Sequence, residues 1–336
     1  MSFSVTGGQI VNKRVYDLLS KEGHEVIYCQ QLHPTMGNFR YLFSLIFHLF
    51  EYLKYDRIII DSSSFPKTVW FVTLANIFGY KKKLVTTLHH YGFIGSCGLK
   101  GYIYKFLELS FVRQCEMVII FSPYVLDLSQ KLIKKSRLFF VGLPFDKHIK
   151  SKAEHQYGNM LFVGTIEERK GLVYLIDALV RLPDEYKSKV HLDIVGKVID
   201  ENYYNMLTSK ITDANMGQLI SFKGRVGEEE LDTLYSTSMI FAFPSLYEGF
   251  GMVLIEAMGH SLPVIAFNNS AIPYTVKDGV NGILVNNMDS NAFSDAIVLL
   301  LNDTDLYRNL SLEARKTYEQ SKSYEEFDRD VVKLFA

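Results

Sequence analysis

The stretch PSLYEGFGMVLIEAMG, residues 244–259, places two carboxylates, Glu248 and Glu256, on either side of a Gly-Phe-Gly turn. The apolar run at 238–243 predicts a strand that leads into this turn, and the residues after Gly251 predict a helix. An acidic side chain, a pliant backbone and a helix N-terminus therefore meet at the carboxyl end of a strand. Open α/β sheets bind ligands at that edge, so this stretch indicates both a fold class and a candidate site.

The remainder of the chain alternates predicted strands with predicted helices, which is typical of parallel βαβ units. In the first half, strands are expected at 25–29, 56–61, 83–88, 116–121 and 138–141, and helices at 12–22, 66–78 and 99–113. In the second half, strands are expected at 160–163, 191–195, 220–223, 238–243, 263–267 and 282–285, and helices at 171–180, 289–301 and 305–320.

A polar stretch of mixed charge at 144–158 interrupts the pattern and predicts a domain boundary. We therefore expect two doubly wound α/β domains, residues 1–150 and 151–322, with a cleft between them. Residues 323–336 are expected to form a last helix that packs back toward the first domain. Ser323 and Glu326 have the spacing of a capping box at its start.

The composition is that of an ordered globular protein, with 336 residues of which 48% are hydrophobic and 22% charged. Such a length suits two domains better than a single core. The three cysteines, Cys29, Cys97 and Cys115, show no metal-type spacing, and the N-terminus has no charged-then-apolar leader. These features favour a reducing, cytoplasmic location over secretion.

The net charge of −1 hides an asymmetry between the two halves. Residues 1–150 carry 19 Lys and Arg against 10 Asp and Glu, and residues 151–336 carry 17 against 27. A basic half indicates an anionic lipid surface, a phosphorylated acceptor or nucleic acid, whereas complementary domain faces would explain the same asymmetry. The apolar segment Tyr41–Leu53 leaves a similar choice between a buried packing helix and a helix on a membrane surface.

The predicted helix after Gly251 points backbone N–H groups and a partial positive charge toward the turn, which favours phosphate. Glu248 is better suited to accept hydrogen bonds from hydroxyls, and Glu256 lies further along the helix. Hydroxyls at both ends with phosphate between them is the layout of a nucleotide sugar. Arg169 and Lys170, between a predicted strand and a predicted helix, are unfavourable at a helix N-terminus unless they face a strong anion such as diphosphate.

Together these residues resemble the retaining, nucleotide-sugar-dependent glycosyltransferases of family 4, which have the GT-B fold of two Rossmann-like domains facing a central cleft. The resemblance covers most of the chain. It is carried by Gly7-Gly8, by GHEV at 23–26, by VGTIEERKG at 163–171, by DIVG at 193–196, by FKGRV at 222–226 and by the E-x7-E spacing of Glu248 and Glu256.

The resemblance implies a role for each matching position. Glu248 would hold hydroxyls of the donor sugar, with the backbone of Gly249, Phe250 and Gly251 against that sugar. Glu256 would bind the ribose, and Arg169 and Lys170 would bind the diphosphate. The remaining donor-binding positions would be Gly7, Gly8, Gly164, Gly196, Arg225, Val226, Val253 and Leu254. The family needs no metal or other cofactor. Asp303/Asp305 and Asp328/Asp330 have D-x-D spacing, but the first pair lies between predicted helices and the second lies on the last helix. Neither pair ends a strand at the cleft, so neither is expected to bind a metal.

His89 ends a predicted strand of the first domain, where the resemblance implies a catalytic side chain near the sugar and the acceptor. His90 follows it, so either imidazole could face the reactants. Two departures from the family also matter. Only residues 2–6 precede Gly7 as a first strand, and Thr165 stands where many relatives have Arg, which places more of the diphosphate contact on Arg169 and Lys170.

We therefore expect an N-terminal acceptor-binding domain and a C-terminal nucleotide-sugar-binding domain. The enzyme would move a hexose from a UDP- or GDP-sugar to a hydroxyl of a glycan or lipid-linked saccharide in surface polysaccharide biosynthesis. It would work in the cytoplasm or on the inner face of the membrane, without a metal or a nucleic-acid partner. Two alternatives are a GT-B enzyme of another class, such as an epimerase, and a non-catalytic subunit that binds sugar nucleotides or glycans.

Overall fold

A computed structural model of the chain describes residues 7–28, 54–62, 65–91, 98–149 and 155–336. The predicted short first strand at 2–6, Cys29, Cys97 and the apolar segment Tyr41–Leu53 lie outside these residues. Contacts divide the chain into a first unit, Met1–Pro144 with Lys322–Ala336, and a second unit, Phe145–Ser321. The sequence placed these borders at 150/151 and 322/323, six residues and one residue later.

The first unit is built on a five-stranded parallel sheet in the order β1-β2-β3-β4-β5. Its strands are β1 Val26–Tyr28, β2 Arg57–Asp61, β3 Leu84–Leu88, β4 Met117–Ile120 and β5 Leu138–Phe140. Strands β2, β3 and β4 are almost wholly buried, as is usual for parallel strands that are covered on both faces. Among the described strands the order follows the chain, without a reversal.

Helices pack on this sheet and supply the other half of its core. They are α1 Gly7–Lys21, α2 Phe65–Ile77, α3 Gly98–Gln114 and α4 Pro123–Leu132, with 3-10 turns at Lys81–Lys83 and Lys135–Arg137. The predicted helix bounds differ by one residue at each end of α2 and α3. Helix α1 begins earlier than predicted, and α4 is absent from the sequence prediction.

The second unit contains a six-stranded parallel sheet in the order β11-β10-β9-β6-β7-β8. The strands are β6 Asn159–Val163, β7 His191–Val195, β8 Ile220–Gly224, β9 Ile240–Phe243, β10 Val264–Phe267 and β11 Gly282–Val285. The chain builds outward from β6 through β7 to β8 and then crosses to β9 on the other side of β6. That reversal makes the unit doubly wound and leaves a switch point between β6 and β9.

The helices of the second unit follow the strands in turn. They are α5 Leu172–Arg181, α6 Asp184–Lys187, α7 Glu201–Asp213, α8 Glu228–Thr237, α9 Met252–Gly259, α10 Ile272–Thr275, α11 Ser290–Asn302 and α12 Thr304–Gln320, with a 3-10 turn at Glu168–Lys170. The α/β class with two parallel sheets agrees with the sequence prediction. Among the described residues, none of the helices combines the length and the apolar character needed to cross a membrane.

The last helix, α13 Tyr324–Phe335, belongs to the first unit. Ser323 and Glu326 form the predicted capping box, each side chain bonded to the other's backbone N–H. Arg14 of α1 makes two hydrogen bonds of 2.7 Å to the Asp328 carboxylate and thereby ties α13 to α1. Phe327 is fully buried, with its ring 6.2 Å from that of Phe121.

Replacing Phe327 by Ala should lower the free energy of unfolding by about 3–5 kcal/mol, because the variant leaves a cavity against Phe121. Denaturant unfolding followed by circular dichroism measures this loss. Glu325→Ala, at an exposed position of the same helix, is the matched control and should change stability by less than about 0.5 kcal/mol. Equal stability of the two variants would show that α13 is not part of the folded core.

Candidate active site

The predicted donor-binding residues of the second unit lie in loops that leave the carboxyl ends of adjacent strands. The loop after β6 carries Arg169 and Lys170, and the loop after β9 carries Glu248. Strands β6 and β9 are neighbours at the switch point of the sheet. The reversal of strand order therefore brings together two segments that are almost 80 residues apart in the chain.

The Glu248 carboxylate is held by three groups through one oxygen. Its Oε1 accepts hydrogen bonds from Lys170 Nζ at 2.5 Å and Ser245 Oγ at 2.8 Å, and lies 3.5 Å from Arg169 Nη1. Lys170 and Glu248 are both less than 10% exposed, so the ion pair is screened little by solvent. Among the described residues, these contacts all fall on Oε1, which fixes the carboxylate and leaves Oε2 to accept from a hydroxyl.

Lys170 is the more buried of the two predicted diphosphate ligands. Its ammonium sits 5.4 Å from the centre of the Phe243 ring, an arrangement that favours a cation. The sequence assigned Lys170 and Glu248 to different parts of a ligand, whereas the structure joins them directly. One N–H of the ammonium is committed to Glu248, and its two others can still donate.

Arg169 is more exposed and is fixed by its own neighbours. Nη1 donates to the carbonyl of Tyr247 at 2.8 Å, and Nη2 donates to Glu167 Oε1 at the same distance. Thr165 Oγ1 donates to that same Glu167 oxygen at 2.7 Å. Thr165, which replaces an expected Arg, thus acts through Glu167 to orient the guanidinium of Arg169.

Two glycines allow neighbouring loops of the site to touch. Gly171 has a left-handed φ of 66°, and a Cβ there would lie 2.0 Å from the carbonyl oxygen of Pro244. Gly196 has a φ of 150°, and a Cβ would lie 1.8 Å from the carbonyl oxygen of Gly164. Any larger residue at either position must displace backbone, so the loops after β6, β7 and β9 are packed main chain against main chain.

Helix α9 begins directly after the Gly-Phe-Gly turn. Gly251, at φ 82°, is its N-cap and, among the described residues, provides no side-chain hydrogen bond to the first turn, whose N–H groups remain available to an anion. Within this turn Leu254 N–H donates to the Gly251 carbonyl at 3.0 Å, and Val253 precedes it. The contact of this backbone with the diphosphate stays a prediction. Phe250 stacks on Phe145, with ring centres 5.8 Å apart, and Gly249 precedes it.

Glu256 occupies the middle of α9 and contacts a neighbouring helix. Tyr235 of α8 donates a hydrogen bond of 3.2 Å to its Oε2. Burial raises the pKa of Glu256, and the Tyr235 hydrogen bond partly offsets that rise. Tyr235 is in turn stacked on His260, with ring centres 5.1 Å apart. Oε1 of Glu256 is left for a ligand hydroxyl among the described contacts.

The remaining predicted positions of the second unit also follow strands of this sheet. Gly164 follows β6, Gly196 follows β7, and Arg225 and Val226 follow β8. Arg225 is exposed and Val226 is half-buried. The structure therefore gathers the predicted donor-binding residues of this unit at one edge of its sheet.

The other predicted residues belong to the first unit. Gly7 and Gly8 form the first turn of α1 rather than a loop before it. His89 Nε2 is 3.0 Å from Asn12 Oδ1, and Asn12 Nδ2 donates to Asp61 at 2.6 Å. The His89 ring stacks on Phe121 at 4.8 Å, whereas His90 is exposed.

Several site residues were missed by the sequence reasoning. Ser245 and Glu167 form hydrogen bonds with the predicted donor-binding residues Glu248 and Arg169. Asn12 and Asp61 form a hydrogen-bonded chain with His89. A signal existed for Asp61, which ends the apolar run of β2 just as His89 follows β3 on the neighbouring strand. For Ser245 the sequence shows only that it lies three residues before Glu248. That spacing does not predict the hydrogen bond between the two side chains.

The aspartate pairs with D-x-D spacing have structural partners. Asp303 caps α12 through the N–H of Leu306, and Asp328 binds Arg14. Across the described ranges, no three His, Cys, Asp or Glu side chains are grouped closely enough to hold a metal ion.

Comparison with known proteins shows the family of the chain. The family described as glycosyl transferases group 1 matches residues 145–317, more than half of the chain and nearly the whole second unit. The chain therefore belongs to the glycosyl transferases group 1 family and is a glycosyltransferase.

Two relatives illustrate the range of similarity. A protein of Klebsiella pneumoniae, an uncharacterised 41.2 kDa protein in the cps region, is 27% identical over 79% of this chain and 76% of its own length. The O-antigen chain mannosyltransferase B of Escherichia coli is 32% identical over 46% of this chain. That match spans only 39% of the mannosyltransferase.

Solved structures show the same fold across nearly the whole chain. Sucrose-phosphate synthase from Thermosynechococcus elongatus superposes with a TM-score of 0.78 at 20% identity, over 98% of this chain and 93% of its own. HepE of Anabaena, in a complex with UDP-glucose, gives 0.73 at 17% identity, over 96% and 95%. The fold is that of the GT-B glycosyltransferases, as the sequence predicted.

The surroundings of His89 predict a pH-dependent stability. Burial lowers the pKa of His89 from 6.5 to about 4, despite Asp61, which raises it, while His90 lowers it further. Between pH 6.5 and about 4, His89 is therefore protonated in the unfolded chain and neutral in the folded chain. The free energy of unfolding should decrease by up to about 3 kcal/mol as the pH falls through this window.

Urea unfolding of wild-type and His89→Gln protein between pH 7 and 4 measures this effect, and the variant should lose less stability across the window. His148→Gln, at a side chain that is 95% exposed, is the control and should follow the wild type. Parallel curves for wild type and His89→Gln would contradict the assignment.

Proposed function

We propose that this glycosyltransferase moves a hexose from a UDP- or GDP-sugar to an acceptor hydroxyl with retention of anomeric configuration. The observation that carries the proposal is the Glu248 carboxylate, fixed through Oε1 by buried Lys170 and by Ser245, beside the uncapped start of α9. The site thus combines a carboxylate oxygen that can accept hydrogen bonds from hydroxyls with N–H groups that can donate hydrogen bonds to phosphate. A nucleotide sugar presents both hydroxyls and phosphates.

The donor would lie along the carboxyl edge of the second sheet. Its sugar hydroxyls would bind Glu248 Oε2, its diphosphate would bind Arg169, Lys170 and the first turn of α9, and its ribose would bind Glu256 Oε1. Gly196, Arg225 and Val226 would border the base. The UDP-glucose complex of HepE, which has the same fold, supports a nucleotide sugar as donor.

The same groups would stabilise the departing diphosphate. As the glycosidic bond breaks, negative charge grows on the phosphate oxygens, and two cations with a helix N-terminus can offset it without a metal ion. The departing phosphate would take the proton of the acceptor hydroxyl on the same face of the sugar. Glu248 would then hold the donor, and neither Glu248 nor Glu256 would act as the acid of a glycosidase.

The acceptor we propose is a glycan or a lipid-linked saccharide of surface polysaccharide biosynthesis. The relative that acts on the O-antigen chain supports this class. His89, held by Asn12 and Phe121 at the carboxyl edge of the first sheet, is the candidate to contact sugar and acceptor hydroxyls. We place the reaction in the cytoplasm, at the inner face of the membrane.

Glu248→Gln should reduce sugar transfer by at least ~100-fold, since an amide cannot replace the anchored carboxylate against donor hydroxyls. Binding of UDP or GDP should stay within threefold or become tighter, because a negative charge beside the diphosphate is removed. Radiolabelled transfer and calorimetry measure the two effects, with Glu228→Gln on exposed α8 as the control. Full transfer by Glu248→Gln would refute the role, and product formed without acceptor would indicate an epimerase-like enzyme.

Arg169→Ala combined with Lys170→Ala should weaken binding of the nucleoside diphosphate by roughly 30-fold or more, since charge-assisted contacts to phosphate are lost. Binding of the nucleoside alone should be unchanged, because the base and ribose contacts remain. The pair Arg181→Ala and Lys187→Ala removes two cations from the same unit and serves as the control. Equal losses for nucleoside and nucleoside diphosphate would show a structural defect instead.

A further inference from the structure

Helix α3 of the first unit carries an apolar stripe on its outer face. Leu99, Tyr102, Ile103 and Phe106 are 78%, 76%, 50% and 73% exposed. Their spacing of i, i+3, i+4 and i+7 places them on one side of the helix. The opposite side of α3, including Phe111 and Val112, is fully buried in the core. The exposed side chains of the outer stripe therefore do not contribute to this core.

The neighbouring helix α2 extends this stripe. Trp70, Ile77 and Phe78 at and just beyond α2 are 61%, 71% and 53% exposed. Asn76 Nδ2 donates to the carbonyl of Gln114 at 3.2 Å, so the C-terminal ends of α2 and α3 lie side by side. At 1.5 Å per residue, Trp70 lies about 9 Å before Asn76 along α2, and Phe106 lies about 12 Å before Gln114 along α3.

The adjoining amino-terminal edge of the first sheet is strongly basic. The chain segments that lead into β2, β3, β4 and β5, residues 54–57, 81–83, 113–116 and 131–137, hold ten Lys and Arg against two acidic residues, Asp56 and Glu116. Its exposed cations are Lys54, Lys82, Arg113, Lys131, Lys134 and Lys135. Because the 3-10 turn Lys81–Lys83 starts three residues after Phe78, the basic edge meets the apolar stripe.

Two arginines of this edge are held by backbone carbonyls. Arg113 donates to the carbonyl of Leu132, and Arg137 donates to the carbonyl of Arg113. Carbonyl acceptors hold these side chains in place and leave their positive charge intact. Both the apolar and the electrostatic parts of the surface therefore lie within one unit.

We propose that the outer stripe of α2 and α3, with the basic edge below it, is a docking face for an anionic lipid bilayer. Aromatic and aliphatic side chains would enter the boundary between headgroups and acyl chains, and the cations would bind lipid phosphates. The proposal rests on the proposed function only in placing the enzyme beside a membrane. It concerns residues other than the apolar segment Tyr41–Leu53 singled out from the sequence.

Charge complementarity favours a bilayer over a second copy of this chain. A twofold dimer through the stripe would bring the two basic edges near each other, and juxtaposed like charges oppose association. An anionic membrane supplies the opposite charge over the whole edge and an apolar layer at the depth of the stripe. The bilayer therefore satisfies both halves of the docking face at once.

The test is co-sedimentation of the full chain with vesicles of phosphatidylcholine alone or with about 30% phosphatidylglycerol. We expect binding to the anionic vesicles at low salt, at least tenfold weaker binding without the anionic lipid, and a steep loss as salt rises. Absence of binding to anionic vesicles at low salt would overturn the proposal.

Two variants separate the parts of the face. Tyr102→Ser with Phe106→Ser, and separately Lys82→Glu with Lys134→Glu and Lys135→Glu, should each reduce vesicle binding at least tenfold. Matched controls in the second unit are Leu312→Ser, at a side chain that is 56% exposed, and Lys187→Glu with Lys189→Glu and Lys277→Glu, and both should bind as wild type. Wild-type binding by the stripe variant, or a dimer in sedimentation analysis that the stripe variant dissociates, would overturn the proposal.

Binding of UDP and GDP to each variant keeps this result separate from the proposed function. A docking variant that loses vesicle binding but keeps both nucleotide binding and the wild-type unfolding transition, followed by circular dichroism, is folded and supports the docking face. Vesicle binding by a protein that transfers no sugar would leave the docking face standing and refute the proposed function alone.

Discussion

The buried ion pair between Lys170 and Glu248 is the interaction on which the candidate site depends. Each charge is expensive to bury alone, and each is stabilised here because the other lies 2.5 Å away. The pair bridges the loops after β6 and β9, which the reversal of strand order sets side by side. Removal of either partner would leave an uncompensated charge at the centre of the site, so the two loops are coupled electrostatically as well as by backbone contact.

The surroundings of the pair show how a carboxylate can be fixed without being neutralised. Ser245 and Lys170 take one oxygen of Glu248, while Arg169 is restrained by Glu167 and the Tyr247 carbonyl. Glu256 is arranged in the same way, with Tyr235 on one of its oxygens. In both cases the protein uses one carboxylate oxygen for orientation, so the geometry of the other oxygen is set before any ligand arrives.

The fold was largely predictable because buried parallel strands are continuous apolar runs. The predicted bounds of β7 and β11 agree with the structure, and most other strands differ by one or two residues. The strand order could not be read in the same way, since nothing in the run of β9 states that it pairs with β6. No helix was predicted between the strands expected at 116–121 and 138–141, where the structure has α4.

The site was predictable where it depends on motif spacing and not where it depends on contacts. Glu248, Glu256, Arg169 and Lys170 were found from their positions relative to strands and helices. The direct bond of Lys170 to Glu248 and the bond of Leu254 N–H to Gly251 were not. Such contacts join residues through three-dimensional packing, and a single sequence records no partner for a serine or a backbone N–H.

The membership of α13 in the first unit has a consequence for biosynthesis. The second unit is one continuous segment, Phe145–Ser321, and can fold as soon as that segment leaves the ribosome. The first unit is made of two segments, and Phe327, buried beside Phe121, comes from the later one. The domain whose synthesis begins first therefore completes its core last, and until then it exposes apolar surface on which a chaperone can act.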